Sequence, residues 1–294
     1  MKEARDITEE SEAVSRTRFS NFWRRYKRNR PAVVGLGIVL FFTAVALLAS
    51  QIAPHDPFRI AVAQVFESPN ANFPMGGDSL GRDVLSGVIY GARVSLIIGF
   101  FAASTSAMIG ILVGSIAGFF GGKVDALLMR ITEIFQTVPA FFMALVLVSL
   151  FGSSVWNVII LLGVLSWPRT ARLIRAEFLT LKEREFVEAS RAVGARNTEI
   201  IFGEIMPNAL APVIVDTSME VGRAILTEAG LSFLGLGDLN QISWGMMLNN
   251  AQPYLRSAWW MAVFPGSCIF ILVLALNLVG DGLNDALNPR LKES

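Results

Sequence analysis

Cysteine and histidine occur once each in the 294 residues, as Cys268 and His55. One cysteine closes no intrachain disulfide, and one histidine cannot build the clusters that hold zinc. Charge is scarce as well. Asp, Glu, Lys and Arg make up 17% of the chain, against about 25% in a soluble domain. The net charge is +1, and the basic residues are sorted by loop instead of gathered into a patch, so nothing points to nucleic acid. A nucleotide loop is also missing. It needs G-x-x-x-x-G-K-[ST], whose amides cradle phosphates and whose final hydroxyl holds magnesium. The nearest string, "AGFFGGKVD", has Ala117 at the first glycine and Val124 after Lys123. No H-E-x-x-H or G-x-S-x-G occurs either. The chain is therefore expected to be no enzyme and to bind no metal or cofactor of its own.

What the chain has is apolar length. Hydrophobic residues form 53% of it, in blocks that reach the ~20 residues of a membrane-crossing helix. An all-α, polytopic membrane protein follows. Six spans are expected, at 32–53, 94–119, 131–150, 155–167, 209–227 and 259–279. The first is longer than the ~7–15 apolar residues of a signal peptide. It also follows a charged stretch, 1–31, so it reads as a retained span.

Loop charge supports the count. With six spans and an inside N-terminus, the inside segments carry 20 of the 25 Lys and Arg residues. Cytoplasmic loops collect such an excess, so both termini are expected in the cytoplasm. The organisation that results is a tail and basic juxtamembrane stretch at 1–31, with 1–20 disordered, then the first span and an outer loop at 54–93. A core of five spans at 94–283 follows, with a cytoplasmic loop near 176–208, and the tail is 284–294. His55, in "APHDPF" just after the first span, reads as turn chemistry beside Asp56.

Charges inside the spans are few. Asp216, Glu220 and Arg223 stand at i, i+4 and i+7 on one face of the fifth span. Ionisable groups at that depth face one another or a water-filled cavity. Two readings follow: the wall of a solute pathway, or a stripe in which Glu220 and Arg223 neutralise each other. Arg130 and Glu133 read as an interfacial pair. "GLGD", 235–238, matches the G-x-G-D string of intramembrane aspartyl proteases. That chemistry needs two carboxylates sharing a proton, and Asp238 falls in an outer loop.

The most polar long stretch is "EFVEASRAVGARNTEIIFGEIMP", 185–207. Phe186, Ala189 and Val193 share one face of its first half. Gly194 suits a helix end, and Asn197 suits the cap of a second helix over 198–206, which Pro207 is expected to stop. Two helices this short need a surface to dock on.

The same residues carry a resemblance. "EASRAVG" with "EIMPNALAP" resembles the EAA loop of bacterial ABC-importer permeases, E-A-A-x-x-x-G followed by I-x-L-P. Glu188, Ala189, Gly194 and Pro207 fall on the pattern, while Ser190, Glu204 and Met206 depart from it. "FWRRYKRNRPAVVGL", "LGRDVLSGVIYGARVSL", "EAGLSFLGLG" and "LVGDGLNDALNPRL" extend the likeness to the C-type permease of dipeptide and oligopeptide importers, with nickel and glutathione carriers among the relatives. The resemblance implies the type I importer permease fold in a bacterial inner membrane. It implies a second, non-identical permease, two cytoplasmic ATPase subunits that use ATP and Mg, and an extracytoplasmic solute-binding protein. It assigns Glu188, Ala189, Ser190, Gly194 and Pro207 to coupling with the ATPase. An ion-coupled carrier or channel, and an intramembrane aspartyl protease, are the alternatives from other classes.

Overall fold

The computed structural model describes residue 20 and residues 22–287. The expected disordered tail, 1–20, and the tail beyond 287 thus lie almost wholly outside the described residues. Among these residues the regular structure is helical, apart from one isolated antiparallel bridge between Gly77 and Asp83.

Local chemistry sets the helix starts. α1 (Arg30–Leu47) begins behind Asn29, whose side chain accepts from the Ala32 amide at 3.0 Å, with Pro31 in its first turn. A proline there loses nothing, because a first-turn amide has no helical partner. α2 (Val84–Phe120) begins behind Asp83, which accepts from the Leu85 and Ser86 amides at 3.2 and 3.3 Å. α3 (Gly122–Thr137) and α4 (Ala140–Phe151) follow, then α5 (Val155–Leu181) and the short α6 (Glu185–Ala192). α7 (Met206–Leu231) is flanked by π-helical turns at Ile200–Ile205 and Ser232–Leu236. α8 (Trp244–Ala251) and α9 (Trp260–Leu287) are the last helices of the described residues.

Among the described residues five helices are long and apolar enough to cross a membrane, namely α1, α2, α5, the run Asn197–Leu236 that contains α7, and α9. The pair α3–α4 makes a sixth, bent by 79°. Taken as one span, the bent pair brings the count among the described residues to the expected six, while the bounds differ from those expected. Instead of one straight span at 131–150, the chain breaks at Val138 and Pro139, where Val138 takes the extended φ −100°, ψ 132° that a residue before proline prefers. The second span starts at Val84, ten residues before 94, on the strength of the Asp83 cap. The fourth runs past 167 to Leu181, through a buried Pro168. The last continues to Leu287, past the expected start of the tail at 284.

The centre of the bundle is the seam between α2 and α5. A β-carbon on Gly110 would lie 2.6 Å from Thr170 Cβ, and one on Gly118 would lie 2.5 Å from Phe178 Cβ. One on Gly114 would collide with the Ala171 carbonyl oxygen. Lipid tails are as apolar as leucine, so helices in lipid associate through close van der Waals fit, and small residues four apart allow it. α7 lies against both seam helices and against α9, and α9 packs on α1. Trp244 of α8 is fully buried and donates its Nε1–H to Val88 O at 2.9 Å, which ties α8 to the first turns of α2.

Two contacts sort the helix ends by side. Asn29 donates to Asp285 at 2.7 Å, which brings the start of α1 to the end of α9. Arg175 grips Asp125 with Nε and a terminal nitrogen at 2.5 and 2.6 Å, which brings the end of α5 to the start of α3. A crossing by α5 then puts its start, and the end of α4, on the opposite side. The bent pair therefore traverses the bundle.

Candidate functional site

The polar stretch 185–207 joins α5 to α7. Its anchor is Val187, fully buried in a cluster with Phe178, Ile200 and Ile205. The face picked out by spacing points the other way: Phe186 is 39% and Val193 85% exposed, and Ala189 is exposed between them. Glu188 is exposed, and Ser190 donates its hydroxyl to Phe186 O at 3.1 Å. α6 is thus held to its own chain by one side and leaves an apolar side uncovered. Gly194 has φ +83°, and a β-carbon there would meet nothing within 4 Å. Its backbone needs glycine; its surroundings do not.

Beyond Gly194 the chain departs from expectation. Arg196, not Asn197, is the cap residue, and its amide donates to the Glu199 carboxylate at 2.8 Å. No separate helix covers 198–206. The turn Asn197–Glu199 and the π-helical turn Ile200–Ile205 lead straight into α7, and Pro207 sits in its first turn. Pro207 does not stop a helix, because in the first turn of α7 its missing amide costs no helical hydrogen bond.

Inside the bundle, Asp216, Glu220 and Arg223 of α7 do share a face and meet. Arg223 donates Nε to Glu220 at 2.5 Å and a terminal nitrogen to Asp216 at 3.0 Å. A fourth member comes from α5: Arg169 donates Nε to Asp216 at 3.0 Å. Sequence spacing could not find Arg169, since it lies on another helix 47 positions away. Asp216 and Glu220 are each 8% exposed, and two cations against two carboxylates leave the group neutral. Such pairing offsets the cost of burying the two carboxylates.

A cavity of about 280 Å³ lies beside the network. Its wall includes Pro139 at the break between α3 and α4, Pro168 and Arg169 of α5, and Glu220 of α7. Two other polar positions read from sequence take different roles. His55 faces Asp83 at 3.2 Å, not its neighbour Asp56, and joins the cap of α2. Asp238 accepts from the Val155 and Asn240 amides at 3.1 and 2.9 Å, which makes it a loop anchor. Asp216, a carboxylate buried on α7, is occupied by two arginines. Neither is in a proton-sharing dyad. Arg130 and Glu133 do pair, at 3.1 Å, on an exposed surface.

This arrangement, a broken span and buried charges beside a cavity with a polar bridge outside, sits in a chain whose residues 110–293 match the family model "Binding-protein-dependent transport system inner membrane component". The chain belongs to that family. Residues 17–72 of the permease also match "N-terminal TM domain of oligopeptide transport permease C". It is 38% identical, over 92% of its length and 89% of the relative's, to the dipeptide transport system permease protein of Alkalihalophilus pseudofirmus. With the di/tripeptide permease protein of Pseudomonas aeruginosa the identity is 39%, over 93% and 92%. The glutathione permease protein of Pectobacterium atrosepticum gives 39%, over 94% and 93%. Among solved structures, a chain of the MetNI methionine ABC transporter in inward-facing conformations aligns with a TM-score of 0.57 at 22% identity, covering 69% of the permease and 96% of that chain. That likeness concerns the fold, the type I importer permease fold. The protein is a multi-pass inner-membrane permease of an ABC importer.

Proposed function

We propose that the permease forms half of the pathway of an ATP-driven importer of di- or oligopeptides, and is coupled to separate ATPase subunits through 185–207. The observation that carries the coupling is the outward apolar face of α6, Phe186, Ala189 and Val193, on a helix already anchored by Val187. A protein surface, not lipid, suits it, because Glu185, Glu188 and Arg191 surround that face. Glu188, Ala189 and Ser190 would meet the ATPase, and Gly194 would turn the chain away from it. Pro207, in the first turn of α7, would stiffen the junction through which displacement of α6 reaches Asp216, Glu220 and Arg223. Closure of the ATPases would move α6, and α5 and α7 with it, so that the cavity opens to alternate sides.

The remaining assembly is a second, non-identical permease, two ATPases that bind ATP and Mg, and an extracytoplasmic binding protein that delivers solute. Both termini and 185–207 lie in the cytoplasm on this reading, and the permease itself has no nucleotide site. The experiment is reconstitution of all the subunits in proteoliposomes, with labelled dipeptide, glutathione and nickel outside. Uptake of a peptide that needs ATP hydrolysis is expected. Uptake driven by an ion gradient with no ATP would establish the carrier instead.

A further inference from the structure

The break between α3 and α4 opens the backbone at membrane depth. α3 ends at Thr137, α4 starts at Ala140 without a side-chain cap, and Pro139 has no amide to donate. Non-helical backbone at that depth is tolerated only where protein buries it or a watery cavity reaches it. Here it lines a cavity of about 280 Å³, near the lower end of small-molecule sites at ~300–1,000 Å³. The charged side chains on the wall are one of each sign, Arg169 and Glu220, with Gln136 and Ser166 as neutral polar neighbours.

Both charged groups keep hydrogen-bonding capacity. Among the described hydrogen bonds Arg169 uses its Nε alone, on Asp216, and a guanidinium has five N–H donors. Glu220 receives Arg223 at Oε2, and a carboxylate can accept at about four lone-pair sites. The inner members, Asp216 and Arg223, hold the outer two in place. The network is therefore more than self-neutralising: it presents a fixed cation and a fixed anion to the same cavity.

We propose that this cavity is a transit subsite for zwitterionic peptides, in which Arg169 takes the terminal carboxylate and Glu220 the terminal ammonium. The inference rests on the reading of the chain as a peptide importer's permease. Both contacts address groups that every unblocked peptide has, so side chains of many kinds pass. Amide groups of the peptide find bare backbone at the break. Two contacts of this sort, open to water, hold a solute weakly enough to release it, as a pathway requires.

The test uses the complete importer in proteoliposomes and three probes, a dipeptide, its C-terminal amide and its N-acetyl form. The same binding protein serves wild type and variants, so a change in preference belongs to the permease. Arg169→Gln is expected to cut the preference for free acid over amide in kcat/KM about tenfold, the scale of one lost charged hydrogen bond, and to leave the preference for free amine unchanged. Glu220→Gln is expected to do the reverse. This crossed pattern is one that misfolding cannot produce. If one variant does not assemble, the selective loss in the other decides. Unchanged ratios, or an equal loss for all three probes, overturn the subsite while peptide uptake stands. Absence of ATP-dependent dipeptide uptake in the wild type overturns the peptide reading and the subsite with it.

Discussion

Gly194 separates two kinds of glycine. The glycines of the α2–α5 seam are there for closeness, whereas Gly194 stands in open space with φ +83°. A side chain at that φ costs about 1–2 kcal/mol, too little to unfold a bundle of this size. Gly194→Asp is thus expected to reach the membrane at wild-type level and yet to abolish uptake, because a charge and a strained turn are added beside the exposed face of α6. Immunoblots of membranes alongside uptake assays check this. Full uptake by the variant would remove the coupling role of the segment. Arg169 shows what single residues can hide. Nothing in the sequence around it marks a partner on α7, although Thr170 beside it also donates to Asp216, at 3.4 Å, so spacing alone yields a cluster of three charged residues.

At the scale of elements, the α2–α5 seam makes a prediction of its own. Gly114→Leu must push α5 away from α2, since even a β-carbon collides with the Ala171 carbonyl. Overpacking of this kind costs about 1–3 kcal/mol or more. Gly37→Leu on α1 is the matched control, because a β-carbon there would meet nothing within 4 Å. Thermal unfolding of the purified complex is expected to show a lower midpoint for the first variant and no change for the second; equal midpoints would deny the seam its place at the centre. The elements also show what the sequence could tell. The apolar runs of α1, α2, α4 and α9 stand out by hydropathy alone. The start of α2 does not, because "VLSGVIYGAR", 84–93, is diluted by Ser86, Gly87, Gly91 and Arg93; the fold sets Ser86 against the loop at His55 and the two glycines against Met247 and Trp244 of α8, and leaves Arg93 exposed. The break at Pro139 vanished inside a high average hydropathy. Pro207 misled for the opposite reason: its sign is strong, but a first-turn position turns a stop into a start. The α6 segment was legible as a docking element, yet its inward anchor, Val187, is invisible to a pattern that counts the outward face.

For the whole molecule the question is which side faces the cytoplasm. The run Asn197–Leu236 has 40 residues, so at ~1.5 Å per residue it is roughly 60 Å long, twice the ~30 Å of a bilayer's hydrocarbon. Its two ends must therefore emerge on opposite sides. Asp238, just beyond the far end, accepts from the amide of Val155, so the start of α5 shares that side. The grip of Arg175 on Asp125 puts the start of α3 on the other. These contacts fix relative sides only; the sense rests on the proposed orientation, with 185–207 inside, which the sorting of Lys and Arg by loop supports. The chain's one cysteine makes this simple to measure. Cys268→Ser gives a background with no thiol, into which Asn197→Cys or Asn240→Cys is placed, both at exposed positions. In intact cells a membrane-impermeant maleimide is expected to label residue 240 and to leave residue 197 untouched until the membrane is opened. Labelling of both in intact cells would mean that the run does not cross. The reverse pattern would place 185–207 outside, where no ATPase could reach it, and the proposed coupling would fall with the topology.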